Sequence, residues 1–102
     1  MGFGTSEVAG WVRLASSGQV GDAGKAIDIV GYTIKSGATL GTITIMNGTV
    51  QTSPIAWADT ATTSSVEKSI ALAYPVRLAS GCYVSFDSNV SAATVYYRQM
   101  LT

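Results

Sequence analysis

GCYVSFDSNVSAATVYYR, residues 81–98, is the most regular hydrophobic stretch of the chain and decides its fold class. Cys82, Val84 and Phe86 alternate with polar or mixed residues, so an extended strand here would have one apolar face. The segment 87–89, Asp-Ser-Asn, has side chains that bond their own backbone and favour a turn.

A second β-rich run covers residues 94–101. It would place Val95, Tyr97 and Leu101 on one face of a strand, and β-branched and aromatic residues of this kind favour extended structure. Two such runs separated by a turn are typical of an antiparallel hairpin. The sequence therefore predicts a C-terminal hairpin on which the earlier strands pack.

The remaining chain contains further strand-like segments. We expect a short edge strand at 11–15, a loop at 16–24, and a long strand at 25–35 whose apolar face changes sides near Gly31. Strand glycines often mark a bulge or bend. Asn47-Gly48, after a strand at 41–46, predicts a type I′ turn with a returning strand at 49–52. Pro54 breaks that strand or holds it at an edge, and residues 55–58 resume it. A polar loop at 59–65 and a strand at 66–74, ended by Pro75, complete the pattern.

About eight short strands and no segment of helical period predict an all-β fold with no significant helix. We expect a small antiparallel β-sandwich, jelly-roll-like or Ig-like. The domain covers residues 11–102, and residues 1–10 form a flexible N-terminal arm whose single large apolar residue is Phe3.

The charge of the chain argues against several classes of partner. Charged residues make up 12% of the sequence, and six basic residues balance six acidic ones. Nucleic-acid binding, which depends on releasing counterions, is therefore not expected. The sequence also contains no long apolar run or signal peptide, so we expect no membrane partner and assembly in a reducing cytoplasm.

Catalytic chemistry has few candidate residues. Histidine is absent, which removes the commonest general base and metal ligand, so we expect a non-enzymatic protein with no catalytic residue, cofactor or metal. Asp28 lies inside an apolar strand, where an outward-facing or Lys-paired carboxylate is the main interpretation and a catalytic role the alternative. Cys82 is the single cysteine, and we interpret it as a buried thiol.

The nine aromatic residues suggest how the domain binds partners. Trp11 and Trp57 lie on probable edge segments, where they could anchor a contact. We therefore predict a protein interface that contains Phe3, Trp11, Arg13 and Trp57. Alternatively, Trp11 and Trp57 could join Tyr96 and Tyr97 in a sugar-stacking platform.

Three segments of the sequence, taken together, indicate a class of protein. They are GTITIMNGTV at 41–50, YPV at 74–76 followed by LASGCYV at 78–84, and TVYYR at 94–98. Over about residues 27–98 the chain resembles a group of small proteins of tailed bacteriophages. The resemblance implies a virion structural protein with a β-sandwich fold that decorates or cements the capsid exterior. It implies the major capsid protein as partner, a homo-oligomer that is often a trimer, and location on the capsid surface.

Two other functions remain open from the residues alone. A carbohydrate-binding or fibre- or tail-associated module would require exposed aromatic side chains in one shallow patch. A small enzyme would require two carboxylates converging in a pocket, and the lack of histidine makes it the weakest alternative.

Overall fold

The computed structural model describes residues 7–22, 24–62 and 64–100. Their secondary structure consists of eight strands: β1 (Glu7–Leu14), β2 (Gly18–Val20), β3 (Ile27–Ser36), β4 (Thr42–Asn47), β5 (Ile55–Thr60), β6 (Glu67–Leu78), β7 (Cys82–Phe86) and β8 (Val90–Met100). They form two four-stranded antiparallel sheets, which confirms the predicted all-β sandwich. We call the sheet with order β1-β8-β3-β6 sheet A and the sheet with order β2-β7-β4-β5 sheet B.

The strand order is that of a jelly roll. Pairing joins β1 to β8, β2 to β7, β3 to β6 and β4 to β5, as in one long antiparallel ribbon closed by the β4–β5 connection. Wrapping this ribbon brings β3 beside β8 and β4 beside β7, which completes the two sheets. Eight antiparallel strands arranged in two sheets with this connectivity define the jelly roll, so the Ig-like alternative is not adopted.

The predicted C-terminal hairpin is wrong, because β7 and β8 lie in different sheets. The turn between them does form: Asn89 donates its backbone N–H to Asp87 Oδ1 at 2.9 Å, and the Val90 N–H reaches the Asp87 carbonyl at 3.3 Å. The chain therefore crosses from sheet B to sheet A at this turn. The apolar faces predicted for these two strands are nevertheless correct, because β7 and β8 both direct apolar side chains into the same core, from opposite sides.

The predicted Asn47-Gly48 turn is also wrong in type. A type I′ turn requires positive φ at both central residues, and Asn47 does not have it. The hairpin instead has a longer connection, residues 48–54, and the returning strand begins at Ile55. The Asn47 side chain accepts the Ser80 N–H at 2.9 Å, and the Gly48 N–H bonds the Gly81 carbonyl at 3.1 Å. These bonds tie the connection to the segment before β7.

The bend predicted near Gly31 is a β-bulge in β3. The register with both neighbouring strands shifts between Ile29 and Gly31. The bulge resets the alternation, so Ile27, Ile29, Tyr32 and Ile34 are all buried in one core. The expectation that the strand's apolar set changes sides was therefore wrong, since the extra residue, Val30, restores the same face.

Other boundaries differ from the sequence-based expectation. Residues 7–10 belong to β1 rather than to the arm, β2 lies within the predicted loop 16–24, and β5 continues to Thr60. Strand β6 runs through Pro75. Proline is tolerated there because β6 is an edge strand and residues 72–75 bulge opposite Val30. The arm residues 1–6, with Phe3, lie outside the described residues.

The core lies between the sheets and contains apolar residues from both. Sheet A contributes Ile27, Ile29, Tyr32, Ile34, Leu78, Val90, Ala93 and Val95, and sheet B contributes Val20, Ile43, Ile45, Cys82 and Val84. Burying a side chain of this size stabilises the fold by roughly 1.5–3 kcal/mol relative to leaving it exposed. The sandwich thus depends on apolar packing between the two sheets.

We predict that Gly31→Ala lowers the free energy of unfolding by about 1–3 kcal/mol. A Cβ atom at Gly31 would lie 2.7 Å from the backbone oxygen of Ile70, so β6 would have to move. Gly37→Ala is the matched control, because a Cβ atom there meets nothing within 4 Å. Urea denaturation of both variants measures the difference, and equal stability would show that the bulge has room for a side chain.

Candidate functional site

The outer face of sheet A contains the most exposed aromatic pair. Trp11 on β1 stands opposite Tyr96 on β8, and Tyr96 in turn stands opposite Gly31 on β3. The side chains of Trp11 and Tyr96 are 66% and 43% exposed. We call these two residues the aromatic patch. Cross-strand neighbours of this kind have Cβ atoms about 5 Å apart, so the two rings share one surface.

A shallow groove of about 420 Å³ lies beside the aromatic patch. Gly31 forms its floor, and Tyr96, Thr33, Ser69 and Ala71 are among the residues that line it. Within the groove, Gly31 lies between Tyr96 and Ala71, which are its register partners on the two neighbouring strands.

An ion pair between β1 and β6 lies across the outer face of sheet A. Arg13 Nη1 lies 2.7 Å from Glu67 Oε1 and also donates to Thr94 Oγ1 at 3.1 Å. Because β8 and β3 separate β1 from β6, this contact spans the width of sheet A. The charge of Arg13 is therefore balanced within the fold.

A second ionic cluster lies at the other end of the face. Arg77 donates to both carboxylate oxygens of Asp28, with Nη2 3.0 Å from Oδ2. These hydrogen bonds hold the pKa of Asp28 below its ordinary value although partial burial opposes them, and Arg98 adds a favourable charge. Asp28 is therefore an ion-paired carboxylate, but its partner is Arg77 rather than the lysine that the sequence predicted.

A polar network closes the gap between the two sheets at the β5–β6 side. The Tyr32 hydroxyl donates to Asp59 Oδ2 at 2.7 Å and accepts the Trp57 indole N–H at 2.8 Å. Lys68 Nζ lies 2.8 Å from Asp59 Oδ1. We call these four residues the inter-sheet network, because Tyr32 and Lys68 belong to sheet A and Trp57 and Asp59 to sheet B.

The network shifts the ionisation of its members. Burial, supported by the hydrogen bond to Asp59, raises the pKa of Tyr32 to about 12. Partial burial acts to raise the pKa of Asp59, but hydrogen bonds from Lys68 and Tyr32 outweigh it, so that pKa lies below its ordinary value. The neutral phenol and the charged carboxylate are thus the forms that the fold stabilises.

The four residues of the predicted interface do not form a single patch. Trp11 and Arg13 lie on β1 and Trp57 on β5, which are edge strands of different sheets on opposite sides of the sandwich. Trp57 is 38% exposed and its indole N–H is bound inside the inter-sheet network. Phe3 lies outside the described residues. Of the residues in the alternative aromatic platform, Trp11 and Tyr96 are cross-strand neighbours, whereas Tyr97 packs against the core.

Sequence reasoning did not find the inter-sheet network. It placed Asp59 in a polar loop, and Tyr32 and Trp57 are separated by 25 residues in the chain. A local signal was present, since Ala56, Ala58 and Thr60 alternate with Trp57 and Asp59 as in a strand.

Neither Cys82 nor the acidic residues form a metal-binding group in the described part of the chain. Cys82 is fully buried, and burial raises the pKa of its thiol to about 12. The buried interpretation of Cys82 is therefore confirmed. Within residues 7–22, 24–62 and 64–100, no three Cys, Asp or Glu side chains are grouped so that they could hold a metal ion.

Comparison of the chain with protein-family models, with curated proteins and with solved structures gives no match. The described residues also form no helix long and apolar enough to cross a membrane. Function therefore has to be argued from the surface described above.

We predict that Tyr32→Phe lowers the free energy of unfolding by about 1–3 kcal/mol, because it leaves the Trp57 N–H and one Asp59 oxygen without their partner. Tyr74→Phe is the matched control, since Tyr74 is among the most exposed side chains. Urea denaturation at neutral pH compares them. A Tyr32→Phe protein as stable as the control would show that the network contributes nothing measurable.

A pH dependence follows from the same hydroxyl. The pKa of Tyr32 rises from 10.0 to about 12 on folding, so its stabilisation is complete below pH 10 and is lost as the pH rises towards 12. Cys82, raised from 9.0 to about 12, acts in the same direction. We expect stability to fall with pH above about 9, and to fall less steeply above pH 10 in Tyr32→Phe. Parallel curves for the two proteins would contradict this assignment.

Proposed function

We propose that the chain is a non-enzymatic structural protein of a bacteriophage virion. In this proposal it decorates or cements the capsid exterior by binding the major capsid protein, after assembly in the host cytoplasm. The observation that supports it most directly is the aromatic patch, an exposed Trp-Tyr pair on the outer face of a rigid sheet.

The patch has the chemistry of an interface centre. Trp and Tyr are the residues most enriched among those that dominate binding energy, and such residues lie within a polar rim. Here the rim consists of the Arg13–Glu67 pair and the Asp28–Arg77 cluster. Because these charges already have partners within the chain, covering the patch would not bury an uncompensated charge.

The fold and the sequence resemblance add weaker support. Jelly rolls occur in viral capsid proteins and in lectins, although a fold alone does not assign a function. The resemblance to small phage proteins adds the expectation of a homo-oligomer, with a trimer as the usual size. The nearly uncharged composition fits a protein whose surface is largely covered by other subunits.

The groove favours a second candidate function, a carbohydrate-binding or fibre- or tail-associated module. A sugar ring could stack on Tyr96 or Trp11 while its hydroxyl groups bond Ser69 or Thr33 at the groove. Thr33 Oγ1 already accepts the Thr94 N–H at 3.2 Å, which leaves its hydroxyl proton as a donor.

We predict that Trp11→Ala reduces attachment to the capsid by at least an order of magnitude, as expected for a central aromatic contact. The assay is co-sedimentation of purified protein with capsids, lacking this protein, of the phage that encodes the chain. Ile55→Ala is the matched control. Ile55 is 68% exposed, close to the 66% of Trp11, but it lies on β5 of sheet B.

The outcomes separate the candidates. Strong attachment that depends on Trp11 and not on Ile55 supports capsid decoration. Attachment that neither substitution changes would show that the patch is not the contact, and failure of the unmodified protein to bind would overturn the proposal. Binding to a glycan array that disappears in Trp11→Ala would instead support the carbohydrate-binding candidate.

A further inference from the structure

Strand β5 differs from the other strands in what attaches it to the fold. Among the strands that the structure describes, β5 alone contributes no side chain to the core or to the apolar residues packed against it. Its neighbour β4 contributes Ile43 and Ile45, but the residues opposite them on β5 are Asp59 and Trp57. Both belong to the inter-sheet network. The attachment of β5 therefore depends on hydrogen bonds more than on core packing.

Side-chain hydrogen bonds connect β5 to the rest of the sandwich. The Tyr32 hydroxyl binds both inner side chains of β5, and the Tyr32 ring is itself buried in the core. Lys68 Nζ lies 2.8 Å from Asp59 Oδ1 and 3.1 Å from the Thr60 carbonyl oxygen. The hydroxyl groups of Thr42 and Thr60 meet at 2.7 Å, which adds one contact to β4. The inter-sheet network thus joins β5 to β3 and β6.

The two ends of β5 are attached to different extents. After the C-terminal end, Ala61 is only 2% exposed, and its N–H donates to the Gly41 carbonyl at 2.9 Å. At the N-terminal end, the register with β4 shifts so that Ala56 is an extra residue, and Ile55 is 68% exposed. The strand is therefore released most easily from its N-terminal end, with Ala61 as the pivot.

We propose that β5 is a strap: it opens from β4 while the other strands remain folded, and the inter-sheet network holds it closed. Folded proteins open locally in cooperative units, at free energies below that of global unfolding. Segments with few buried apolar contacts and exposed backbone hydrogen bonds are the ones that open first. Strand β5 has both properties, because it lies at the edge of sheet B and contributes nothing to the core.

Opening of the strap changes what sheet B offers to another chain. In the closed form β4 is paired on both sides, with β5 and with β7. In the open form the backbone N–H and C=O groups of β4 that face β5 lose their partners, and an edge of this kind can accept another strand. The inter-sheet network therefore controls how often the β4 edge is available.

This inference does not depend on the proposed virion function, which concerns the outer face of sheet A. Strap opening is measured on the isolated chain, whereas capsid attachment is measured by co-sedimentation. Trp11→Ala, which tests attachment, leaves the contacts of the strap in place because Trp11 lies on β1. Either proposal can therefore fail without the other.

The test is amide hydrogen exchange of the full-length chain, followed by NMR over a series of low urea concentrations. The urea dependence of an opening scales with the surface that the opening exposes. We expect the β5 amides that bond β4 to exchange through an opening of lower free energy and weaker urea dependence than the amides of β3 and β8. Equal free energies and equal urea dependence would show that β5 opens only with the whole domain, which overturns the inference.

Ile29→Val separates the two kinds of opening. Ile29 is fully buried in β3, and its cross-strand partners lie on β6 and β8. The substitution weakens packing that the open strap retains, so the amides of β3 should exchange several-fold faster. The amides of β5 should keep their exchange rate. The same acceleration in β5 as in β3 would contradict strap opening.

Asp59→Asn tests the network itself, because it removes the charge that Lys68 binds. The closed form loses this contact relative to both the open strap and the unfolded chain, so β5 and β3 amides should both exchange faster, by on the order of tenfold or more. Lys68→Met removes the same ion pair and should act alike.

Glu67→Gln is the matched control for these two variants. Glu67 precedes Lys68 in β6, but its ion pair with Arg13 lies within sheet A and persists in the open form. The exchange rates of β5 should therefore not change in this variant. Unchanged β5 exchange in both Asp59→Asn and Lys68→Met, or an equal acceleration in Glu67→Gln, would overturn the inference.

Discussion

The β-bulge of β3 is the constraint on which most of the structure depends. One inserted residue, Val30, resets the alternation of the strand, so that Ile29 and Tyr32 both face the core. The same shift puts Gly31 next to Tyr96. The continuous core face of β3 therefore depends on one backbone irregularity, which needs glycine because the Ile70 carbonyl lies too close for a Cβ atom.

The bulge also connects the two sheets through a polar contact. It directs the Tyr32 hydroxyl towards β5, where Asp59 and Trp57 bind it. A carboxylate pointing into a sandwich is costly unless it is paired and hydrogen-bonded, and Asp59 has Lys68 and Tyr32 as partners. The network therefore stabilises the side of the core that β5 and β6 leave open, and it protects the β5 edge from pairing with other chains.

Ion pairs within the chain determine which features its outer surface presents. Arg13, Lys68 and Arg77 each form an ion pair with a carboxylate of the same chain. The charges of these three residues are therefore balanced within the fold. The outer surface of sheet A is distinguished by its apolar content, namely Trp11 and Tyr96 next to the regular edge of β1. Both features are suited to contact with another protein surface.

The sequence by itself determined the all-β class and the apolar alternation within individual strands. Alternation is a local property, so Cys82, Val84 and Val95 could be assigned to apolar faces without knowledge of their neighbours. Pairing could not be assigned in this way: the short link after Phe86 fits a hairpin as well as a crossover, because either arrangement buries the same faces. The tertiary structure decided between them. In the folded chain β8 lies between β1 and β3, β1 is an edge strand, and the Tyr32 hydroxyl binds Trp57 across the sheets. The contacts join segments that are distant in the chain, so no local sequence pattern encodes the hydrogen bonds that they satisfy.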